Sequence, residues 1–437
     1  MVEARKSTHP APARDLNLNV RGLRISATLA INERARALLD EGRQVYKLGL
    51  GQSPFPVPDV VVKQLQEHAH EKDYLPVRGL RALRVAVADY HRLRHGIECS
   101  AQDVLIGPGS KELMFLLQLV YYGDLVIPTP SWVSYAPQAR IIGRNISWVP
   151  TRWDNDLKLL AQDLDRVCQP DPDRPRIVIL NYPSNPTGST YTMTELKTLA
   201  KIARRYKVVL LSDEIYGELH HRGQHVSIAR FYPEGTIIGG GLSKWCGAGG
   251  WRLGTFVFPR GLSWLLDSMA VVASETFTST SAPIQHAAVR AFRGGTEIEE
   301  YLHHARRILS RLGRYAWTRL SKAGAVVPEP KGAFYVFPDL SPLRERFAAR
   351  GIRTGPQLCE ALLDETGVAV LPGSAFGRPL EELSFRLAYV DFDGARALVA
   401  AREMGSRAEL TDAFLRNYCH NVVQGVDRIV VWVKKAS

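Results

Sequence analysis

Apolar side chains recur along this chain with two alternating periods, and the alternation predicts its architecture. In "TLAINERARALLDEG" (28–42) and "LRALRVAVADYHRLRHG" (80–96) they fall three and four positions apart, and each run stops at a glycine, Gly42 or Gly96. That is the spacing of one helix face with its stop signal. "KELMFLLQLV" (111–120) and "TELKTLAKIARRYK" (194–207) read as helices too, with Thr194 as N-cap of the second. Between and after these lie short apolar runs that break into turn residues. They are "DVLIGPGS" (103–110), "LVIPTPSW" (125–132), "RIVILNYPSNPTG" (176–188), "VVLLSDEIYG" (208–217), "TIIGGGLSK" (236–244) and "GTFVFP" (254–259). These read as strands, and strands alternating with helices predict an α/β domain with a mainly parallel sheet sandwiched by helices. "VPEPKGAFYVFPDL" (327–340) changes texture and opens an α+β segment. It is expected to join the N-terminal helix in a smaller domain built from both chain ends. The expected division is an arm over 1–25, a small domain over 26–55 and 327–437, and a large domain over 56–326.

Composition narrows the classes. The 437 residues are 45% hydrophobic and 23% charged, ordinary globular values. The formal net charge of +12 raises nucleic acid as a partner. However, the basic residues are scattered (Arg5, Arg43, Arg92, Arg205, Arg307, Arg350), with no long basic run and no helix-turn-helix or zinc-finger pattern. Attraction of small anions accounts for the charge equally well. The five cysteines are far apart and never form a CxxC pair. Neither a disulfide framework nor a metal site follows, and a reducing, cytoplasmic setting is expected. Cys246, close to Lys244, reads as a small buried filler rather than a nucleophile. No apolar stretch approaches a membrane span, and the first twenty residues lack the apolar core of a secretory signal.

In a parallel α/β sheet, ligands bind beyond the carboxyl ends of the strands. Gly109, Ser110, Lys111, Asn185, Asp213 and Lys244 all fall at such ends. Together they suit a cofactor with a phosphate, a phenolic oxygen, a ring nitrogen and an aldehyde. A buried lysine amine would condense with the aldehyde, and a carboxylate would keep the ring nitrogen protonated. An amide and a phenol would bind the ring oxygen, an aromatic face would stack on the ring, and a helix start with an arginine would hold the phosphate. Lys244, Asp213, Asn185, Tyr216, Trp132, the 109–111 turn and Arg252 supply those groups.

Eight motifs carry a resemblance: "YLPVRGLRALR", "GPGSKELMF", "PSWVSY", "NYPSNPTG", "SDEIYG", "SKWCGAGGWRLG", "GAFYVFP" and "FRLAY". In this order they resemble the fold-type I pyridoxal-phosphate enzymes of the class I/II aminotransferase superfamily, from about residue 26 to residue 394. The resemblance implies a pyridoxal 5'-phosphate-dependent transaminase that moves an amino group between an L-amino acid and a 2-oxo acid. It assigns Lys244 to the Schiff base and the proton shift, Asp213 to the ring nitrogen, and Asn185 and Tyr216 to the ring oxygen. Trp132 becomes the stacking aromatic, and Arg252 the phosphate ligand eight residues beyond the lysine. Arg386 grips the substrate α-carboxylate, with Gly51 and Asn185 beside it. Tyr74 resembles a tyrosine that reaches the neighbouring subunit's phosphate, which implies a homodimer with shared sites. Where many relatives carry a hydroxyl residue three positions before the lysine, this chain has Gly241; Ser243 or Ser110 is then expected to supply the phosphate contact.

"SAT" (26–28) and Lys111 are similar to a bacterial aspartate/prephenate aminotransferase subgroup, in which Thr28 and Lys111 would bind a distal carboxylate. Lys111 could instead be a solvated charge, although a cation at a helix start opposes the helix dipole. "SETFTSTSAP" (274–283) lacks the arginine that other aspartate aminotransferases use there, and Trp132, Tyr135 and Phe55 leave room for aromatic substrates. The same motifs also serve a β-lyase, a decarboxylase or a synthase. A cofactor-binding transcription regulator would need a DNA-binding domain ahead of residue 26, where the arm is too short for one.

Overall fold

Among the described residues, seven strands form the central sheet: β1 (Val104–Gly107), β2 (Asp124–Thr129), β3 (Ile146–Pro150), β4 (Arg176–Asn181), β5 (Val209–Asp213), β6 (Thr236–Gly241) and β7 (Gly254–Val257). The computed structural model describes residues 17–23 and 27–435, apart from the side chains of 27–30 and 32. The expected arm therefore falls largely outside the described residues. The strand order is β1-β7-β6-β5-β4-β2-β3. β2 to β6 pair in parallel, and β7 is antiparallel to both its neighbours, so it alone runs against the other six.

The strands are buried because each face has its own apolar cover. Along β4, Ile177 and Ile179 pack with Leu113, Met114 and Leu266, while Val178 and Leu180 pack with Leu196, Leu199 and Ala203. Side chains alternate across a strand, so a strand covered on both faces needs an unbroken apolar run. The edge strand β3 was not anticipated. Only Val149 is buried along it, and Trp148 is 41% exposed, so the apolar signal is weak.

The helix over Arg81–His95 ends at Gly96 in the left-handed conformation, φ 63°, as the glycine stop implies. The helix over Met193–Arg205 starts earlier than expected, and Thr194 is not its cap. Thr192 is: its hydroxyl accepts from Glu195 N at 3.2 Å, and the Glu195 carboxylate accepts from Thr192 N at 2.7 Å. This reciprocal pair needs an acid three positions after the hydroxyl, a spacing Thr192 has and Thr194 lacks.

Two small sheets draw on both halves of the chain. Tyr46–Lys47 pairs in parallel with Val368–Ala369, and Phe385–Ala388 lies between Leu371–Pro372 and Tyr335–Val336, antiparallel to both. The last helix, His420–Lys435, packs against this region. A Cβ at Gly425 would lie 2.8 Å from Leu48 Cδ1, so glycine allows the close approach. The Trp432 indole donates to Glu365 at 2.8 Å and anchors the same helix.

Because six strands share one direction, the carboxyl ends of β4, β5 and β6 meet at one sheet edge. Those ends are Asn181, Asp213 and Gly241. The helix over Ser110–Val120 begins at the same edge, directly after β1.

Candidate active site

Asp213 ends β5 and is 3% exposed. Its Oδ2 accepts from the Tyr135 hydroxyl at 2.5 Å, and its Oδ1 accepts from Ile215 N at 3.4 Å. Burial pushes its carboxyl up to about 6, although both hydrogen bonds act in the opposite direction. Asn181 ends β4 and ties the neighbouring loop to this strand. Its Nδ2 donates to the Asp213 carbonyl at 2.9 Å, and its Oδ1 accepts from Asn185 N at 2.7 Å. Asn185 is thereby fixed at the same edge, and its Oδ1 accepts from Arg386 Nη1 at 2.9 Å.

Lys244 follows β6 by three residues. Its Nζ donates to the Gly51 carbonyl at 2.7 Å and lies 5.7 Å from the centre of the Tyr216 ring. Burial, with the Arg386 charge, lowers this ammonium to about 8. A lysine so placed carries an appreciable neutral fraction near neutrality, which a nucleophile or a base requires. Arg386 is 2% exposed, which is unusual for an arginine on a strand. It donates to Gly49 O at 2.5 Å and lies between the rings of Tyr335 and Phe376, at 4.7 and 4.9 Å. Its Nε has no partner among the described residues, so the planar guanidinium keeps donor capacity for a carboxylate.

The anion-binding end is built by close backbone approach. Gly109 has φ 92°, and a Cβ there would lie 2.2 Å from Arg252 Nη2. Gly254 on β7 would bring a Cβ to 2.2 Å from Ser110 N. Glycine at both positions lets the helix start, the turn and the arginine converge. The first N–H groups of a helix with its positive dipole end, next to a guanidinium, suit a phosphate. Lys111 lies in the first turn, with Nζ 5.1 Å from the Trp132 ring centre; burial and Arg252 lower its ammonium.

These groups enclose a cavity of about 700 Å³, a size ordinary for a cofactor with substrate. Of the residues anticipated from sequence, Gly51, Ser110, Lys111, Trp132, Asn185, Asp213, Tyr216, Ser243, Lys244 and Arg252 line it. Arg386 and Gly109 do not line it but touch residues that do, Asn185 and Arg252. Tyr74 stands apart, 90% exposed on the surface. The Thr28 side chain lies outside the described residues. Gly241 has φ 151°, and a Cβ there would lie 2.5 Å from the Leu253 carbonyl, so no hydroxyl residue fits; Ser243 and Ser110, the two hydroxyls expected in its stead, both line the wall. Tyr135, expected only among the residues that leave room for aromatic substrates, is the partner of Asp213, and two contributors were not anticipated: Asn181 as the tie between two strand ends, and Tyr335, whose hydroxyl bonds that of Tyr216 at 2.8 Å. The only signal for them was membership of "PSWVSY", "NYPSNPTG" and "GAFYVFP".

Three cations line the cavity, with Asp213 as the single carboxylate among its lining residues. This donor set fits pyridoxal phosphate: a lowered amine for the aldehyde, a buried carboxyl for the ring nitrogen, and a glycine-cleared helix start with Arg252 for the phosphate.

Comparison with known proteins gives the same direction. The family model for aminotransferase class I and II matches residues 43–401. An aspartate aminotransferase of Geobacillus stearothermophilus is 36% identical over 371 residues, 82% of this chain and 91% of that protein. An aspartate/prephenate aminotransferase of Cereibacter sphaeroides is 31% identical, over 86% of this chain and 94% of its own length. Among solved structures, aspartate aminotransferase from Thermus thermophilus with maleate superimposes with a TM-score of 0.81 at 27% identity, covering 96% of this chain and all of that one.

Proposed function

The chain belongs to the class I and II aminotransferase family and is a fold-type I, pyridoxal-phosphate-dependent transaminase; from that premise we propose that it takes its amino group from an acidic L-amino acid, with Lys244 as the residue that holds the cofactor. The cofactor supplies an aldehyde that condenses with amines and a protonated ring that draws electrons from the substrate α-carbon.

Within this reading, Lys244 Nζ takes the α-proton and returns it, a task suited to an amine lowered to about 8. Asp213 keeps the ring nitrogen protonated, held in place by Tyr135 and Ile215. Arg386 orients the α-carboxylate, with Asn185 fixing one arm of its guanidinium. Arg252, Ser110 and Ser243 hold the phosphate, Trp132 covers one ring face, and Tyr216 and Asn185 meet the ring oxygen.

The observation that carries the acidic substrate is Lys111. It lines the cavity with its ammonium over Trp132, and the charge that perturbs it is another cation, Arg252, rather than a carboxylate. A substrate's distal carboxylate would supply a counter-charge that no described residue gives it. The names of the relatives, aspartate and aspartate/prephenate aminotransferase, support the same choice. A homodimer belongs to the proposal and is supported by Tyr74, an exposed aromatic suited to reaching a second copy. So does a cytoplasmic setting, supported by five free cysteines.

A half-reaction screen tests the substrate. The holoenzyme is mixed with single L-amino acids, and loss of its visible absorbance is followed with release of the matching 2-oxo acid. Aspartate or glutamate should react at least about tenfold faster than phenylalanine. Faster reaction with phenylalanine would overturn the acidic assignment, and ammonia or carbon dioxide in place of the amine transfer would point to lyase or decarboxylase chemistry.

A further inference from the structure

Tyr335 touches three parts of the site without lining the cavity. Its hydroxyl is 2.8 Å from that of Tyr216, its ring lies 4.7 Å from the Arg386 guanidinium, and its tip packs so closely on Gly51 that a Cβ there would come within 1.9 Å. Gly51 in turn holds Lys244. Tyr335 is 1% exposed and sits on the small three-stranded sheet, paired with Ala388 two residues beyond Arg386.

A phenol carries one proton, so in a pair of phenols only one donates. If Tyr216 donated to Tyr335, its proton would be committed there and could not reach a ring oxygen. Arg386 decides the direction. Burial raises both phenols and the Arg386 charge opposes this at both, but that charge lies directly on the Tyr335 ring, while Tyr216 also has the Asp213 carboxyl nearby and is raised further, so Tyr335 is the stronger donor of the two. We propose that Tyr335 is a positioning residue whose hydroxyl donates to Tyr216, freeing the Tyr216 proton for the cofactor's ring oxygen. This inference rests on the role given to Tyr216 above. Hydrogen bonds in a chain polarise one another, so the Tyr335 donation also strengthens the bond Tyr216 makes.

Besides the buried phenols of Tyr135 and Tyr389, the charged groups that face this pair are Arg386, Asp213 and Lys244. All three stay in place in a Tyr335→Phe variant, which removes one oxygen and keeps the ring against Arg386. The test is the pH titration of the holoenzyme's visible absorbance, run on wild type, Tyr216→Phe, Tyr335→Phe and the double variant. Hydrogen bonding to a charged form favours that form. Losing the Tyr335 donor should therefore weaken the stabilised ring oxygen anion and raise the midpoint, by at least about half a pH unit or roughly threefold in proton affinity. Tyr216→Phe should raise it further, and the double variant should match Tyr216→Phe, because one removal forestalls the other. KM for the amino acid should stay within about threefold in Tyr335→Phe. A midpoint that moves in Tyr216→Phe but not in Tyr335→Phe overturns the inference. So does a tenfold rise in KM with an unmoved midpoint, which would assign Tyr335 to the carboxylate arginine alone. An unmoved midpoint in Tyr216→Phe would instead overturn the role of Tyr216 itself.

Discussion

Asp213 should destabilise the cofactor-free protein, and replacing it should make that form more stable while slowing the enzyme. Burial holds its carboxyl at about 6 against an ordinary 3.8. The neutral form is favoured in the folded state, so the stability present below 3.8 is lost as pH rises through 6. A displacement of about two units is worth about 3 kcal/mol at 1.36 kcal/mol per unit, and about 2 kcal/mol of it falls between pH 4.5 and 7.5. Asp213→Asn keeps an oxygen to accept from Tyr135 and cannot ionise. Glu214 next to it is held down near 2 by His225, so its charge is constant over this range. Denaturant unfolding of both cofactor-free proteins at pH 4.5 and 7.5 reads the effect directly. The variant's advantage should grow by about 2 kcal/mol toward pH 7.5. Its half-reaction should fall at least roughly a hundredfold, because a preorganised charge at the ring nitrogen commonly contributes several kcal/mol to the transition state. A stability difference that does not change with pH would refute the claim that burial of the Asp213 carboxyl outweighs its two hydrogen bonds.

Lys111→Ala should lose one to two decades in kcat/KM toward aspartate or glutamate and little toward phenylalanine, since a charge-assisted bond is worth about 1.5–3 kcal/mol; equal losses for both donors, read in steady-state kinetics, would limit Lys111 to the phosphate turn. Gly109→Ala forces a Cβ to 2.2 Å from Arg252 Nη2 at a positive φ, so cofactor affinity measured by fluorescence titration should weaken at least about tenfold, and an unchanged affinity would show that this turn does not hold the phosphate. Because the Lys244 ammonium is lowered to about 8, its neutral fraction, and with it the rate at which the cofactor-free protein captures the aldehyde, should rise with pH through a midpoint near 8; a rise continuing past 10 would mean an ordinary exposed lysine.

The strand ends were legible because a run buried on both faces has an unbroken apolar pattern that stops where chemistry begins. Asp213 and Lys244 stand at such stops. What sequence hid depends on contacts between distant parts of the chain. Tyr135 meets Asp213 across 78 positions and Tyr335 meets Tyr216 across 119, and no local pattern encodes either. A strand arginine reads as an exposed edge charge, so the burial of Arg386 between two rings needed the fold. Thr194 and Thr192 differ as caps through the position of Glu195, three residues after Thr192. Gly241 was legible only as a departure; the Leu253 carbonyl beside it explains why glycine stands there.

The central claim is that Lys244 carries the cofactor. Borohydride reduction of the holoenzyme, followed by digestion and mass spectrometry, tests it most directly. The account predicts the reduced cofactor on Lys244, in the peptide bounded by Arg230 and Arg252, and no fixed cofactor in Lys244→Ala, which should also lose turnover. Cofactor fixed on any other lysine, or labelling that persists in Lys244→Ala, would contradict it.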